Sequence, residues 1–369
     1  MKSKKIIILG GSINDMTSPR VMRIIELTKE FIRQGNHVVL YGSNINFNTL
    51  TIESSSNLQI KNLGNKRWGK NQKKSIISKA INKILLYLFT YPDLELVFMV
   101  KKALKKEIGN KYDLLISIAV PHQIHWGCST IINKKTKPEL CNTWVADCGD
   151  PFTGNKTENF KYPFYFKLIE KWCFRKVNYI TIPLVDAKKG YDNKFWSKIK
   201  IIPQGFNFDE IKVSSTPPNN NIPTFIYAGG FIKGIREPNS LLDFLDTLEI
   251  DFHFIVYTKC GGNKYFDNIS KNLKKKITIK EYIPRIELIE TMSQADFLIN
   301  LENGTNIQSP SKLIDYALSG RPILSIYSNE LDQTKIIKFL NGIYDDQLII
   351  KNISSYNIKN VVRDFLKLC

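Results

Sequence analysis

Asn303-Gly304-Thr305-Asn306-Ile307-Gln308-Ser309-Pro310-Ser311-Lys312-Leu313-Ile314-Asp315-Tyr316-Ala317-Leu318-Ser319-Gly320-Arg321-Pro322 follows the apolar run Asp296 to Leu301, which reads as a strand. Ser309 is a natural helix cap and Pro310 suits the first helical position, so a helix is predicted from here to Leu318. Gly320 permits a left-handed stop and Pro322 begins the exit. Such a helix leaves the N–H groups of Ser311 and Lys312 unpaired at the positive end of its dipole. The Lys312 ammonium and the Ser311 hydroxyl add a charge and a donor, and together they suit a diphosphate. Asp315 lies one turn on, facing as Ser311 does, placed to accept hydrogen bonds from ribose hydroxyls. A well-capped surface helix would carry many of the same residues.

Working outward, strand and helix patterns alternate along the chain. Ile6 to Leu9 reads as a strand, Ser18-Pro19 opens a helix with Val21, Ile24, Leu27, Thr28 and Phe31 on its buried face, and Gly35 ends it. His37 to Tyr41 completes a strand-helix-strand unit, which crosses over right-handed and builds a parallel sheet. Further strands are expected at 113–119, 141–146, 179–183 and 199–202. The segment Ser214-Ser215-Thr216-Pro217-Pro218-Asn219-Asn220-Asn221 cannot join a core and marks a linker. Strands at 224–228, 252–257, 277–279 and 296–301 then resume the alternation, and Val361, Val362, Phe365 and Leu366 fit a closing helix. The organisation is therefore an N-terminal Rossmann-like domain over 1–210, a linker over 211–223, a second Rossmann-like domain over 224–350 and a closing helix within 351–369. A length of 369 residues fits two such cores.

Composition bounds the function classes. With 43% hydrophobic and 24% charged residues the chain is that of a globular protein, and no run is apolar for the ~18 residues of a membrane span. The N-terminal apolar run is too short for a signal peptide, and six cysteines without paired spacing suggest neither a disulfide framework nor a zinc knuckle, so a reducing cytoplasm is expected. A net charge of +19 implies an anionic partner: nucleic acid, a phospholipid surface or a phosphorylated substrate. Lys66, Arg67, Lys70, Lys73, Lys74, Lys79 and Lys83 form an acid-free stretch leading into Ile84-Leu85-Leu86-Tyr87-Leu88-Phe89. This fits a membrane-surface element on the inner face of the cytoplasmic membrane, or equally a solvated loop followed by a core helix.

The strand, Pro-Ser-Lys-Leu-Ile-Asp-Tyr and Ser-Gly-Arg-Pro-Ile-Leu of the opening stretch together resemble the nucleotide-sugar-binding helix of the GT-B glycosyltransferases, their fourth sequence family in particular. Of that family's two glutamates, which have seven residues between them, Asp315 matches the second, while Ile307 stands at the first, which touches the donor sugar. A second element, Tyr227-Ala228-Gly229-Gly230-Phe231-Ile232-Lys233-Gly234-Ile235-Arg236, is similar to the family's diphosphate-binding loop. Gly229 and Gly230 let the backbone approach phosphate, and Lys233 or, better, the forked Arg236 neutralises charge on the leaving diphosphate.

In the first domain, Gly10-Gly11 ends the first strand at the carboxyl edge, where open parallel sheets bind ligands, and Gly11 is placed on the acceptor side. The third glycine of a dinucleotide fingerprint is missing, which disfavours an oxidoreductase. His122, with His125 in reserve, stands where the family has a histidine contacting the donor sugar. Asp147 and Asp150 of Asp147-Cys148-Gly149-Asp150-Pro151 are candidates to orient an acceptor hydroxyl or act as base. Ile202-Pro203-Gln204-Gly205-Phe206-Asn207 resembles the stretch where the family's chain passes between domains.

The resemblance implies an α/β protein with two Rossmann-like domains facing across a cleft. It implies transfer of a sugar from a nucleotide-diphosphate sugar to a glycan or lipid-linked acceptor in surface-polysaccharide synthesis, with retention, no cofactor and no metal. His122, Arg236 and Lys312 are the expected catalytic residues. A sugar-nucleotide epimerase of the same fold is the enzymatic alternative. A nucleic-acid-binding protein is the other, although the basic residues are dispersed and lack a groove-reading helix.

Overall fold

The structure, a computed structural model, describes residues 2–14, 18–45, 52, 55–64, 66–68, 76–154, 162–213, 216, 218–259, 262–302 and 312–369. The chain divides into two compact units, residues 1–206 with 355–369 and residues 207–354. The first contains β1 (Lys5–Ser12), α1 (Pro19–Arg33), β2 (His37–Ser43), β3 (Leu58–Gly64), α2 (Ile76–Phe89), α3 (Glu95–Lys105), β4 (Tyr112–Ala119), α4 (Gln123–Ile131), α5 (Lys137–Leu140), β5 (Cys141–Cys148), α6 (Tyr165–Lys176), β6 (Tyr179–Ile182) and β7 (Ile199–Ile201). The second contains β8 (Thr224–Ala228), α7 (Asn239–Asp246), β9 (His253–Tyr257), α8 (Lys271–Lys276), β10 (Ile277–Lys280), α9 (Arg285–Met292), β11 (Phe297–Leu301), α10 (Lys312–Leu318), β12 (Ile323–Ile326) and α11 (Gln333–Leu340). A last helix, α12 (Ile358–Leu366), returns to the first unit.

Each unit is built on one parallel sheet, in the order β3-β2-β1-β4-β5-β6-β7 in the first and β10-β9-β8-β11-β12 in the second. Near-continuous apolar strands are what a parallel sheet covered on both faces requires. Successive side chains of β1 point to opposite sides. Ile6 and Ile8 pack with Val21, Ile24 and Phe31 of α1 and Val361, Val362 and Phe365 of α12, whereas Ile7 and Leu9 pack with residues of α3, α4 and α6. The second unit repeats the scheme: Phe225 and Tyr227 of β8 face α7 and α11, and Ile226 and Ala228 face α9 and α10.

The strand orders reverse between β1 and β4 and again between β8 and β11, pairs held in register at Ile6–Leu114 and Phe225–Phe297. At such a switch point the loops leaving the two strands part to opposite faces and leave a crevice at the carboxyl edge. The fold therefore sets two candidate sites, one per unit. It also draws the chain's exit and return together. Phe206 N–H donates to Tyr356 O at 2.8 Å and Ile358 N–H to Phe206 O at 2.9 Å. Gly205 makes this possible, because a Cβ there would lie 2.4 Å from Ile358 Cδ1. Val361, Val362 and Phe365 are fully buried, each worth roughly 1.5–3 kcal/mol to the first unit's core.

Three elements depart from the sequence reading. β3 is a half-exposed edge strand and β12 a four-residue strand where only an exit turn was expected. α2 is not the core helix that was one of its two readings, since none of its described side chains is buried.

Candidate functional site

In the second unit, Tyr316 locks α10 to the switch point. Its hydroxyl accepts the Ala228 N–H at 2.8 Å and lies 3.2 and 3.1 Å from the carbonyls of Ala228 and Ile299, so one buried side chain spans the ends of β8 and β11. Lys312, one turn earlier, is thereby held over β8. Its Nζ sits 4.8 Å from the Tyr227 ring centroid and 5.8 Å from that of Tyr316, and it has no hydrogen-bond acceptor among the described residues. Burial, and secondarily the charge of Arg236, push the Lys312 ammonium down to about 7, with Glu302 opposing.

Arg236 arrives on a tight turn closed by reciprocal backbone bonds between Ile232 and Arg236, at 3.0 and 2.8 Å, with Gly234 left-handed at φ 74°. Its Nε is likewise buried without an acceptor among the described residues. Gly229 follows β8 directly, and a Cβ there would lie 3.2 Å from Tyr227 Oη and 3.7 Å from Lys312 Cδ. Gly230 borders open space, with Tyr282 Oη at 4.0 Å from its Cβ position. Lys233 is exposed on the turn. Two half-buried cations, whose Lys312 Nζ and Arg236 Nε are buried without a hydrogen-bond partner among the described residues, stand beside a glycine loop, an arrangement suited to an anion.

Asp315 is half-buried and held by Arg285, whose Nε and Nη2 both reach Oδ1, at 2.8 and 2.5 Å. Burial raises the Asp315 carboxyl, and Arg285 opposes this. Arg285 was missed by the sequence reading, although a cation opening a helix directly after a strand and proline was its available signal. Ser311 and the turn from 303 to 311 lie outside the described residues.

In the first unit, Gly11 meets the loop after β4: a Cβ at 11 would lie 2.7 Å from Pro121 Cδ. His122 follows, 6% exposed, with its ring 5.2 Å from Phe152 and 5.7 Å from His125. Burial foremost, then His125 and Arg20, push the His122 imidazole down to about 3, so it is neutral near pH 7 and suited to hydrogen bonding rather than charge stabilisation. Arg20, also missed, lies across Gly149, where a Cβ would be 1.2 Å from its Nη2, and is 3.8 Å from Asp150 Oδ2. Gly11, Arg20, His122 and Asp150 thus border one edge.

Asp147 requires a correction. It is 1% exposed, and Arg23 grips both oxygens, Nε to Oδ2 at 2.6 Å and Nη2 to Oδ1 at 2.7 Å, while Thr181 donates to Oδ1 at 2.6 Å. Burial opposes ionisation, but Arg23 prevails and holds the carboxyl below its ordinary value. A carboxylate so committed can neither orient an acceptor hydroxyl nor take its proton. Its work is to fix α1 against β5.

Among the described residues, His122, His125 and Cys148 form the group able to hold a metal ion, their ligand atoms lying within 4.8 Å of one another. His125 and Cys148 also satisfy one another as neutral groups. Ser117 Oγ is 2.8 Å from His125 Nδ1, and Cys148 Sγ is 3.4 Å from His125 Nε2. Burial keeps the thiol well above its ordinary range.

No protein-family model and no curated protein matches this sequence. Solved structures do. A glycosyltransferase from Rickettsia africae ESF-5 is 12% identical with a TM-score of 0.63, covering 100% of this chain and 98% of that one. The lipopolysaccharide outer core galactosyltransferase WaaB is 12% identical with a TM-score of 0.60, covering 99% and 98%. A UDP-GlcNAc 2-epimerase from Neisseria meningitidis, bound to UDP-GlcNAc, is 12% identical with a TM-score of 0.57, covering 99% of each chain. The fold is the GT-B architecture of two Rossmann-like domains.

Proposed function

We propose that this chain is a glycosyltransferase that binds a nucleotide-diphosphate sugar on its second unit and a glycan or lipid-linked acceptor on its first. The observation that carries this reading is the pair Lys312 and Arg236, two half-buried cations at the switch point of β8 and β11 whose Nζ and Nε are buried without a hydrogen-bond partner among the described residues. An uncompensated buried charge costs several kcal/mol, and a diphosphate seated between the two cations removes that cost. As the bond between the sugar and the diphosphate breaks, negative charge grows on the leaving oxygen, where Lys312 and Arg236 are poised to stabilise it. The bound diphosphate also raises the Lys312 ammonium above about 7, so donor binding near neutral pH draws in a proton.

Asp315 has one oxygen on Arg285 and offers the other to ribose hydroxyls. His122, neutral, offers a hydrogen bond to a sugar hydroxyl. The resemblance of the Ser311–Asp315 sequence to the fourth family of glycosyltransferases implies a retaining, metal-independent reaction, in which the leaving diphosphate takes the acceptor's proton. An enzyme of surface-polysaccharide synthesis at the inner face of the cytoplasmic membrane fits this chemistry. No helix among the described residues is long and apolar enough to cross a membrane.

The test is a thermal-shift panel of nucleoside diphosphates and their sugars, followed by transfer and epimerisation assays with the stabilising donor. Stabilisation that Arg236→Ala abolishes, with nucleoside diphosphate released and sugar joined to the acceptor only when a glycan acceptor is present, is expected. No response to any nucleoside diphosphate at millimolar concentration defeats the reading, and interconversion of the free sugar nucleotide without acceptor replaces it with the epimerase.

A further inference from the structure

The helix α2 is apolar, carries no acid and has no buried described side chain, with Ile84 56% exposed and Ile81, Leu86, Tyr87 and Phe89 exposed beside it. Nothing in the first unit's core accounts for those residues. Its far end is fastened to α6, where the Tyr165 hydroxyl donates to the Leu88 carbonyl. The adjoining turn and α6 continue the apolar surface through Phe164, 81% exposed, and Leu168. Between α3, α4 and α6 this surface opens into a cavity of about 400 Å³ lined by Leu94, Val97, Trp126, Leu168, Ile169 and Trp172. The cavity's single polar side chain, Thr130, spends its hydroxyl on the Gly127 carbonyl at 2.7 Å. The volume is within the ~300–1,000 Å³ of ordinary ligand pockets, yet the lining offers almost nothing to hydrogen-bond a polar ligand.

Charge selects the occupant. Lys79 and Lys83 stand on α2, and α6 carries Lys167, Lys171, Arg175 and Lys176 against one acid, the buried Glu170. Lys171 is matched by Asp192 at 2.8 Å, and Lys66 of the preceding segment by Asp93 at 2.5 Å, which leaves Lys79 and Lys83 of α2 with Lys167, Arg175 and Lys176 of α6 to carry the field. Lys176 lies over Trp172 at 4.5 Å, covering the groove's edge with a cation. An apolar face framed by cations matches the boundary of an anionic lipid leaflet. We infer that the face of α2 and α6 lies on such a leaflet and that the groove between α3, α4 and α6 takes one hydrocarbon chain of the lipid that carries the acceptor. The assignment of that lipid to the acceptor rests on the transferase reading; insertion of the chain does not.

Trp126, 5% exposed at the floor of the groove, is a built-in probe. The protein is mixed with vesicles of phosphatidylglycerol and phosphatidylcholine whose acyl chains are brominated, and tryptophan quenching is compared with that of Trp126→Phe. Flotation measures binding separately. Expected are binding to anionic vesicles and quenching that diminishes in Trp126→Phe. Ile84→Asp and Leu168→Asp, both at exposed positions, should each weaken binding about tenfold, the loss of one apolar anchor. Binding with identical quenching in the Trp126→Phe protein overturns the groove assignment. No binding at low salt overturns the membrane face, as does a stable homodimer that Ile84→Asp dissociates. Titration of the same variants with the stabilising nucleoside diphosphate keeps the two proposals apart, since unchanged nucleotide affinity with lost flotation locates a defect on this face alone, and the reverse outcome faults the donor site.

Discussion

Replacing Lys312 by methionine removes a buried ammonium while keeping an unbranched apolar chain of similar length. The gap between the 10.5 of a free lysine and about 7 here corresponds to ~5 kcal/mol at ~1.4 kcal/mol for each tenfold, the cost of keeping Lys312 charged in the unliganded fold. Below pH 7 both folded and unfolded chains hold the proton, and the whole cost is present. Between about 7 and 10.5 the unfolded chain binds more protons than the folded one, so stability rises with pH and the cost has fallen to ~2 kcal/mol by pH 9. Lys312→Met should therefore stabilise the unliganded protein by ~2–3 kcal/mol more at pH 6.5 than at pH 9. For a unit of this size that is a difference of about 5–10 °C in the gain of melting temperature. The assay is thermal melting of wild type and variant at both pH values, in which the titration of other groups cancels in the difference. The same variant should lose its stabilisation by nucleoside diphosphates. A variant less stable than wild type by the same amount at both pH values would refute the claim of an unpaired buried ammonium, and undiminished nucleotide binding would refute the anion seat.

Two further outcomes follow from the first unit. Asp147→Asn leaves Arg23 buried beside a neutral partner and should destabilise this unit by ~3–5 kcal/mol in denaturant melts, an effect partly relieved by adding Arg23→Met. Because the Asp147 carboxyl is held below its ordinary value, the wild-type advantage is present above the unfolded carboxylate range and lost as acid protonates the folded form, so the two proteins should converge at low pH. Gly149→Ala forces the Arg20 guanidinium off its shelf, a movement its flexible chain allows at under ~1 kcal/mol in stability. Transfer to acceptor should fall while nucleotide binding stays unchanged, which a paired turnover and titration measurement decides.

Much of the fold was legible because buried parallel strands announce themselves. Ile6 to Leu9, Leu114 to Ile118 and Phe297 to Leu301 are apolar on both faces, and the helices between them show one-sided stripes. Edge and terminal strands lack that signal: β3, with Gln59, Lys61 and Asn62, has one side in water, and β12 is four residues beyond a proline. Legible too was the clustering of Gly229 and Lys312, since each directly follows a strand or opens a helix at a carboxyl edge. Pairings between distant segments were not. Asp147 read as an available acid because nothing in its neighbourhood of sequence reveals Arg23, 124 residues away, and Asp315 likewise hides Arg285. The burial of Lys312 was equally hidden, because it depends on Tyr316 pinning the helix to two strands at once.

The return of α12 to the first unit inverts the order in which the halves mature. A chain emerging from the ribosome presents residues 1–206 long before Ile358, yet Val361, Val362 and Phe365 belong to the core those residues build. The later-made unit owns all its parts first. Until α12 arrives, the apolar side of α1 and β1 stands uncovered, the kind of surface that nascent-chain chaperones shield. A ribosome stalled between the two units should accordingly display an N-terminal half that is collapsed but not locked.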